Sequence, residues 1–265
     1  MKKILYLCSQ MKLRILFLVV AILLCGSCRS GQVAYYNCKV EQTFPHDEGS
    51  YTQGLFFHNG VLYESTGQYG ESTMRKVDIA TGDAQQRMDF DSVYFAEGSC
   101  ILGGKLYVLT WMEGVCFVMD PATFEITGQF PNKHQGWGLT TDGTDLIMSD
   151  GSSRLFYMDP ETFAQKKSVS VTLNGHAVPY LNELEYINGR IWANVYGKDQ
   201  IVIIEPKSGE VEGLVDCRQL RTAFRNTSRT DVLNGIAYNP DTKETYLTGK
   251  YWPLTFKISI EKRDN

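Results

Sequence analysis

The chain has 265 residues, with 26 Lys and Arg against 30 Asp and Glu, a net charge of −4. This balance lacks the basic face that a nucleic-acid partner requires and so excludes that class. Only one apolar run, Ile15 to Leu24, resembles a membrane segment, and it is too short to span a bilayer.

That run sits behind Lys2, Lys3, Lys12 and Arg14, the charged-then-apolar order of a secretory signal. Met11 is an alternative start, because Lys12 and Arg14 alone supply the basic region. The segment ends Cys25-Gly26-Ser27-Cys28, which resembles a bacterial lipobox with Cys25 where Leu is usual. Residues 1–27 are therefore expected to be a lipoprotein signal peptide, with Cys28 acylated. Plain secretion is the alternative. In either case the mature chain works outside the cytoplasm, in the periplasm or anchored at the outer membrane. Its charge falls to about −8 once the four leading cations are removed. Residues 28–265 are expected to form one domain, acting as a monomer.

Val33 to Phe44 is rich in β-formers and precedes a fivefold repeat. The repeats open at Gln53-Gly54-Leu55, Glu97-Gly98-Ser99, Trp137-Gly138-Leu139, Asn182-Glu183-Leu184 and Asn234-Gly235-Ile236, spaced by 44, 40, 45 and 52 residues. Each opening leads into a short apolar strand (LFF, CIL, LTT, LEYI, IAY) and a turn. A second strand follows (LYESTG, LYVLTW, LIMSDG, IWANVY, TYLTGK), then a third (MRKVDI, GVCFVMD, RLFYMD, QIVIIE, TFKISI). Periodicity of forty-odd residues with several strands per unit predicts an all-β fold, a five-bladed β-propeller. Asp78, Asp120, Asp159 and Glu205 open the next turn. They suit turn formation rather than catalysis, since such side chains bond turn N–H groups and a following Pro presets φ. The last repeat stops after its third strand, so the N-terminal strand is expected to supply the outer strand of the fifth blade and remove the open edge.

Equivalent positions of a propeller form a ring. The first ring reads Gln53, Glu97, Trp137, Asn182, Asn234. The residue ending the second strand reads Gly67, Trp111, Gly151, Tyr196, Lys250. Adjacent antiparallel strands bring both sets to one mouth. That mouth is expected to hold one carboxylate, one amine, several amides and aromatic walls. Aromatic walls that exclude water raise a Glu pKa toward neutrality, and a nearby Lys250 opposes this. A Glu so tuned exchanges protons near pH 7.

Other groups are less specific. Glu64, in LYESTG, is the strongest competing carboxylate, read as a strand-packing group or a contact for a substrate amine. Asp150 is a structural strand-end residue. The insertion from Asp216 to Asp231, with Arg218, Arg221, Arg225 and Arg229, reads either as a lid or as a solvated loop. Cys100 and Cys116 could pair across neighbouring strands, but buried free thiols are the preferred reading of Cys38, Cys100, Cys116 and Cys217. His46, His58, His134 and His176 are isolated, surface or loop residues, and no spacing suggests zinc.

The runs FPHDEGSYTQGLFF, LYESTGQYGEST, YFAEGSCILGGKLYVLTW, GWGLTTDGTDLIMSDGSSRLFYMDPETF, LNELEYINGRIWANVY and DVLNGIAYNPDTKETYLTGKYWP resemble the plant-type glutaminyl-peptide cyclotransferases, across residues 40 to 260. The resemblance implies that N-terminal glutaminyl residues of peptides or proteins are cyclised to pyroglutamate with release of ammonia, without metal or cofactor. It places the general acid/base on Glu97, with Lys250 and Asn182 as further catalytic groups. Gln53, Trp111, Trp137, Tyr196, Asn234 and Glu64 are then the substrate contacts. Tyr196 departs from the family, which has Trp there. A non-catalytic propeller that binds peptide N-termini is the alternative reading. A metal-dependent lactonase is a weaker third, since it would need several carboxylates and amides around a cation.

Overall fold

A computed structural model of the chain describes residues 32–263. The signal-peptide and Cys28 expectations lie outside the described residues. Within them the chain is all-β. Strand β1 (Ala34–Pro45) is followed by four strands in sequence order, β2 (Thr52–His58), β3 (Val61–Thr66), β4 (Thr73–Val77) and β5 (Ala84–Asp89), which form one antiparallel sheet. The second sheet is β6 (Ala96–Leu102), β7 (Lys105–Thr110), β8 (Val115–Met119) and β9 (Ile126–Pro131). The third is β10 (Leu139–Thr141), β11 (Leu146–Ser149), β12 (Arg154–Met158) and β13 (Gln165–Ser170). A two-stranded hairpin, β14 (Thr172–Leu173) and β15 (His176–Ala177), precedes β16 (Leu181–Ile187), β17 (Arg190–Val195), β18 (Gln200–Ile204) and β19 (Val211–Asp216). A 3₁₀ turn at Arg218–Thr222 leads to β20 (Leu233–Asn239), β21 (Glu244–Gly249) and β22 (Leu254–Lys262).

Strand β1 joins the last two groups into one eight-stranded sheet, ordered β16-β17-β18-β19-β1-β22-β21-β20. It runs antiparallel to β22 from Tyr36↔Lys262 to Pro45↔Leu254. Its first residues run parallel to β19, with Asn37 opposite Asp216. The edge of β22 away from β21 is thereby paired.

The small sheets are arranged like the blades of a propeller. The first strand of each group is buried along nearly all its length, whereas β5, β9 and β13 are mostly exposed. This explains why the opening strands are apolar runs and these three fourth strands are polar, whereas β19, covered by β1, is largely buried. Strand β2 lies beside β6 and β20, β10 beside β6 and β16, and β16 beside β20. The apolar side chains form clusters between successive sheets. Phe56, Tyr63 and Met74 meet Leu106, Val108 and Phe117, and Tyr107, Leu109 and Val118 meet Leu146, Met148 and Phe156. Leu55, Leu62 and Val77 meet Ala237 and Tyr246.

The repeated glycine has a steric cause. A Cβ on Gly98 would lie 2.4 Å from Leu139 N, and one on Gly138 would lie 2.1 Å from Asn182 O. Neighbouring inner strands approach too closely for any side chain there. The turn acids behave as the sequence suggests. Asp120 Oδ1 accepts from the N–H of Ala122 and Thr123, and Asp159 Oδ1 accepts from Glu161 and Thr162. Tyr107 and Tyr157 then donate to the Pro160 and Pro206 carbonyls of the next group's turn, at 2.9 and 2.7 Å.

One alternative falls, the Cys100–Cys116 pairing, and one expectation changes, the exposure of His46. Cys100 lies on β6 and Cys116 on β8, with β7 between them. Two strand spacings separate their backbones by about 9.6 Å, beyond the reach of a disulfide. All four described cysteines are buried free thiols. His46 follows β1 in a loop but is buried rather than exposed. It is paired with Glu64 at 2.9 Å.

Candidate active site

The first strand of a group aims its ring residue by a bulge. The ladders β2–β3, β6–β7, β16–β17 and β20–β21 each shift register there, between Thr52 and Gly54, Ala96 and Ser99, Leu181 and Leu184, and Leu233 and Ile236. The extra residue breaks the in–out alternation and turns its side chain out of the ladder. In the third group Trp137 stands just before β10. It is fixed by its N–H donating to Ser149 O at 3.1 Å and by Ser149 N donating to Gly138 O at 3.0 Å.

These devices bring Gln53, Glu97, Trp111, Trp137, Asn182, Tyr196 and Lys250 to one cavity of ≈ 470 Å³. Tyr51, Gln68, Tyr69 and Phe95 complete its lining. The walls are aromatic. Phe95 and Trp111 lie with ring centroids 5.5 Å apart, and Trp137 meets Tyr196 edge to face at 5.7 Å. Two glycines make room for these rings. A Cβ on Gly67 would lie 2.2 Å from the Phe95 ring, and one on Gly151 would lie 2.6 Å from the Trp137 indole.

Glu97 is 5% exposed and is the carboxylate of the cavity lining. Gln53 Nε2 donates to its Oε1 at 3.2 Å. Burial pushes the Glu97 carboxyl well above its ordinary range. The Lys250 ammonium opposes this, and Glu113 adds to it. Lys250 is 3% exposed, and burial lowers its pKa against the pull of Glu97 and Asp231. Its Nζ stands 4.4 Å from the Tyr51 ring centroid and 5.4 Å from that of Tyr196. Cation–π attraction thus holds the amine between two rings. The arrangement can accept and return a proton at Glu97, place positive charge beside it at Lys250, and exclude water with the aromatic rings.

Two expected contacts lie elsewhere. Asn234 is fully buried behind the wall. Its Nδ2 donates to Thr52 O at 2.9 Å and to Gln53 Oε1 at 3.4 Å. It orients the Gln53 amide so that the Gln53 N–H₂ faces Glu97. Glu64 is also remote from the lining. Its carboxylate accepts from Thr52 Oγ1 at 2.7 Å and from Ser50 Oγ at 3.2 Å, and pairs with His46 Nε2. Burial alone would raise the Glu64 pKa, but His46 and these donors bring it below its ordinary value. Buried and held by three donors outside the cavity lining, this carboxylate is not presented to a substrate amine.

The Asp216–Asp231 insertion does not line the cavity. Arg221 is held by Asp199 at 2.8 Å and by Asp231 O, and Arg218 by Asp216. The end of the insertion does reach the neighbourhood of the mouth, with Asp231 N–H donating to Lys250 O at 3.0 Å and the Arg229 guanidinium 4.7 Å from the Tyr251 ring centroid.

Sequence reasoning passed over Tyr51 and Phe95. A signal for them exists, since the position two before each ring residue reads Tyr51, Phe95, Gln135, Tyr180, Val232. It also passed over Glu183, which stands where the other repeats have Gly. The Glu183 carboxylate accepts from the N–H groups of Leu55 at 3.3 Å and Ile236 at 2.9 Å, tying three groups together. Glu185 accepts from Tyr238 N at 2.9 Å, and burial raises its pKa to about 8. Among the described residues, no group of three or more His, Cys, Asp or Glu could hold a metal ion.

Comparison with known proteins agrees with the geometry. Residues 15–260 match the family model described as glutamine cyclotransferase. Over 228 residues the chain is 40% identical to the glutaminyl-peptide cyclotransferase of Arabidopsis thaliana, spanning 84% of this chain and 71% of that protein. The crystal structure of Myxococcus xanthus glutaminyl cyclase superposes with a TM-score of 0.83 at 32% identity, covering 88% of this chain and all of that one. The chain therefore belongs to the glutamine cyclotransferase family.

Proposed function

We propose that this protein is a glutaminyl-peptide cyclotransferase that closes the N-terminal glutaminyl residue of peptides or proteins to pyroglutamate and releases ammonia. One observation carries the reading. The buried carboxylate of Glu97 sits in an aromatic cavity, hydrogen-bonded to Gln53, with Lys250 in the same lining.

The nucleophile is the substrate's own α-amine, with a reference pKa of about 7.7–8.0, so an appreciable neutral fraction exists near pH 7. Attack on the γ-carbonyl carbon forms the ring C–N bond and gives a tetrahedral intermediate. Glu97 takes the proton that the attacking nitrogen sheds and delivers it to the departing amide nitrogen, which leaves as ammonia. Glu97 ends as it began. Gln53, Asn182 and Lys250 steer the γ-carbonyl and balance its developing negative charge. Trp111, Trp137 and Tyr196 pack the glutaminyl methylenes, fold the side chain toward its own amine and keep water from the amide. Holding that folded geometry supplies a large part of the rate. Asn234 acts through Gln53 as a positioning residue, and Glu64 belongs to the scaffold.

The fold around this site is read as five blades, with β1 as the outer strand of the fifth. The ring of inner-strand neighbours and the pairing of β1 with β22 support that reading. Export, with residues 1–27 removed, Cys28 acylated and residues 28–265 working as a monomeric domain at the periplasmic or outer-membrane surface, belongs to the same proposal. The mass of the mature N-terminal peptide tests it.

The activity itself is tested by incubating the purified protein with a Gln-initiated dipeptide amide and following ammonia together with the pyroglutamyl product. Stoichiometric appearance of both is expected. Folded protein that binds the peptide without releasing ammonia would instead be a peptide-binding propeller.

A further inference from the structure

Four of the eight large apolar side chains exposed to solvent among the described residues stand at one end of the propeller-like ring. Tyr69 is 50% exposed, Met112 57%, Tyr180 55% and Tyr196 40%. Tyr69 and Tyr196 line the cavity, Met112 follows the lining residue Trp111, and the Tyr180 carbonyl accepts the Tyr196 N–H at 2.8 Å. All four therefore stand at the mouth, on two flanks. One flank runs from Tyr69 through Phe95 to Trp111 and Met112, with Tyr69 and Phe95 ring centroids 5.4 Å apart. The other runs from Trp137 through Tyr196 to Tyr180.

The backbone holds these rings outward at a conformational cost. Tyr180 has φ 65 and Gln68, next to Tyr69, has φ 98, a region that side chains other than Gly and Asn rarely enter. Tyr180 is kept there by its N–H donating to Gly151 O at 2.8 Å. Tyr69 is pinned by its hydroxyl donating to Glu113 Oε1 at 2.7 Å, while Glu113 Oε2 accepts the Phe95 N–H at 3.3 Å. The carboxylate nearest this flank is thus engaged. Strained backbone that presents apolar rings to water points to a ligand that covers them.

Resting on the cyclotransferase reading, we propose that this rim binds the residue following the N-terminal glutamine and selects substrates in which that residue is large and apolar or aromatic. The glutaminyl end must reach Glu97 inside the cavity. The chain leaves through the mouth, and one residue advances it by about 3.3–3.6 Å. The second side chain therefore emerges between the two flanks, where an aromatic or aliphatic group displaces water from four rim side chains and a charged or absent one does not.

The test compares kcat/KM for Gln-Phe amide, Gln-Gly amide and Gln-Asp amide with the parent and with a Met112→Ser, Tyr180→Gly double variant. Glycine suits the left-handed backbone at position 180, so the double variant keeps its fold. The parent is expected to favour Gln-Phe amide over Gln-Gly amide by roughly ten- to a hundredfold, the scale of added apolar contact in a pocket. In the double variant that ratio is expected to fall at least fivefold while kcat/KM for Gln-Gly amide stays unchanged. Equal turnover of all three peptides by the parent overturns the rim proposal and leaves the activity standing. A preference that the double variant retains also overturns it. Failure of folded parent to process any of them overturns the underlying activity, and the rim proposal with it.

Discussion

Replacing Gly151 by Ala separates the geometry of the site from the stability of the fold. Gly151 has φ +79, and a Cβ there would lie 2.6, 2.7 and 2.8 Å from three atoms of the Trp137 indole. Ordinary contact begins near 3.4 Å, so the ring must retreat by about 1 Å, toward Tyr196 and the cavity. A displacement of that size at a positioning group costs on the order of 100-fold in rate. The left-handed backbone adds about 1–2 kcal/mol of destabilisation for a residue with a side chain. Gly175 isolates that second effect, since it has the same φ of +79 and nothing within 4 Å of its added Cβ. In a chain of this size both variants should lose roughly 2–8 °C in Tm. Only Gly151→Ala should lose kcat/KM by about a hundredfold, with altered Trp fluorescence. Full activity in Gly151→Ala, or an equal activity loss in Gly175→Ala, would refute a role for the Trp137 position in turnover.

Three further outcomes follow from the buried charges. Glu185 has its folded pKa raised from 4.5 to about 8 by burial, so the folded state holds a proton that the unfolded state has lost between those values. Stability should therefore fall as pH rises from about 4.5 to 8, by roughly 3–5 kcal/mol from this group, and Glu185→Gln should flatten that slope in urea titrations. Glu64→Ala leaves His46 without its partner and should cost about 3–5 kcal/mol in chemical denaturation. KM should stay at the parent value, whereas a substrate contact at Glu64 would raise it. Lys250 lowers the Glu97 pKa, so Lys250→Met should shift the acidic limb of the kcat/KM profile to higher pH as well as reduce its maximum.

The repeat was legible because it has a steric origin. Gly54, Gly98 and Gly138 recur where inner strands crowd one another, Gly235 takes a positive φ, and the side chain before each of the first three is turned to the cavity by a bulge or a strand entrance. Gln53, Glu97, Trp111, Trp137, Asn182, Tyr196 and Lys250 could thus be found by alignment, whereas Tyr51, Gln68, Tyr69 and Phe95 lie off the aligned positions. The same alignment fails at Asn234, because the side chain turns to the Thr52 carbonyl instead of the cavity, and a repeat register carries no such information. Glu64 and His46 are 18 residues apart in different elements, so their pairing is a property of the folded chain. Glu183 was hidden for the opposite reason. It breaks the glycine pattern, and its carboxylate takes up the backbone donors of Leu55 and Ile236 that a fifth glycine would leave. The ladder order β6-β7-β8 keeps Cys100 and Cys116 apart.

Glu97 moves the proton in this mechanism. The most direct measurement is kcat/KM and peptide affinity for Glu97→Gln beside the parent. A loss of at least roughly a hundredfold in kcat/KM, the scale of general acid/base groups, is predicted, with Kd for a Gln-initiated peptide changed little. Turnover within a few-fold of the parent would contradict the account.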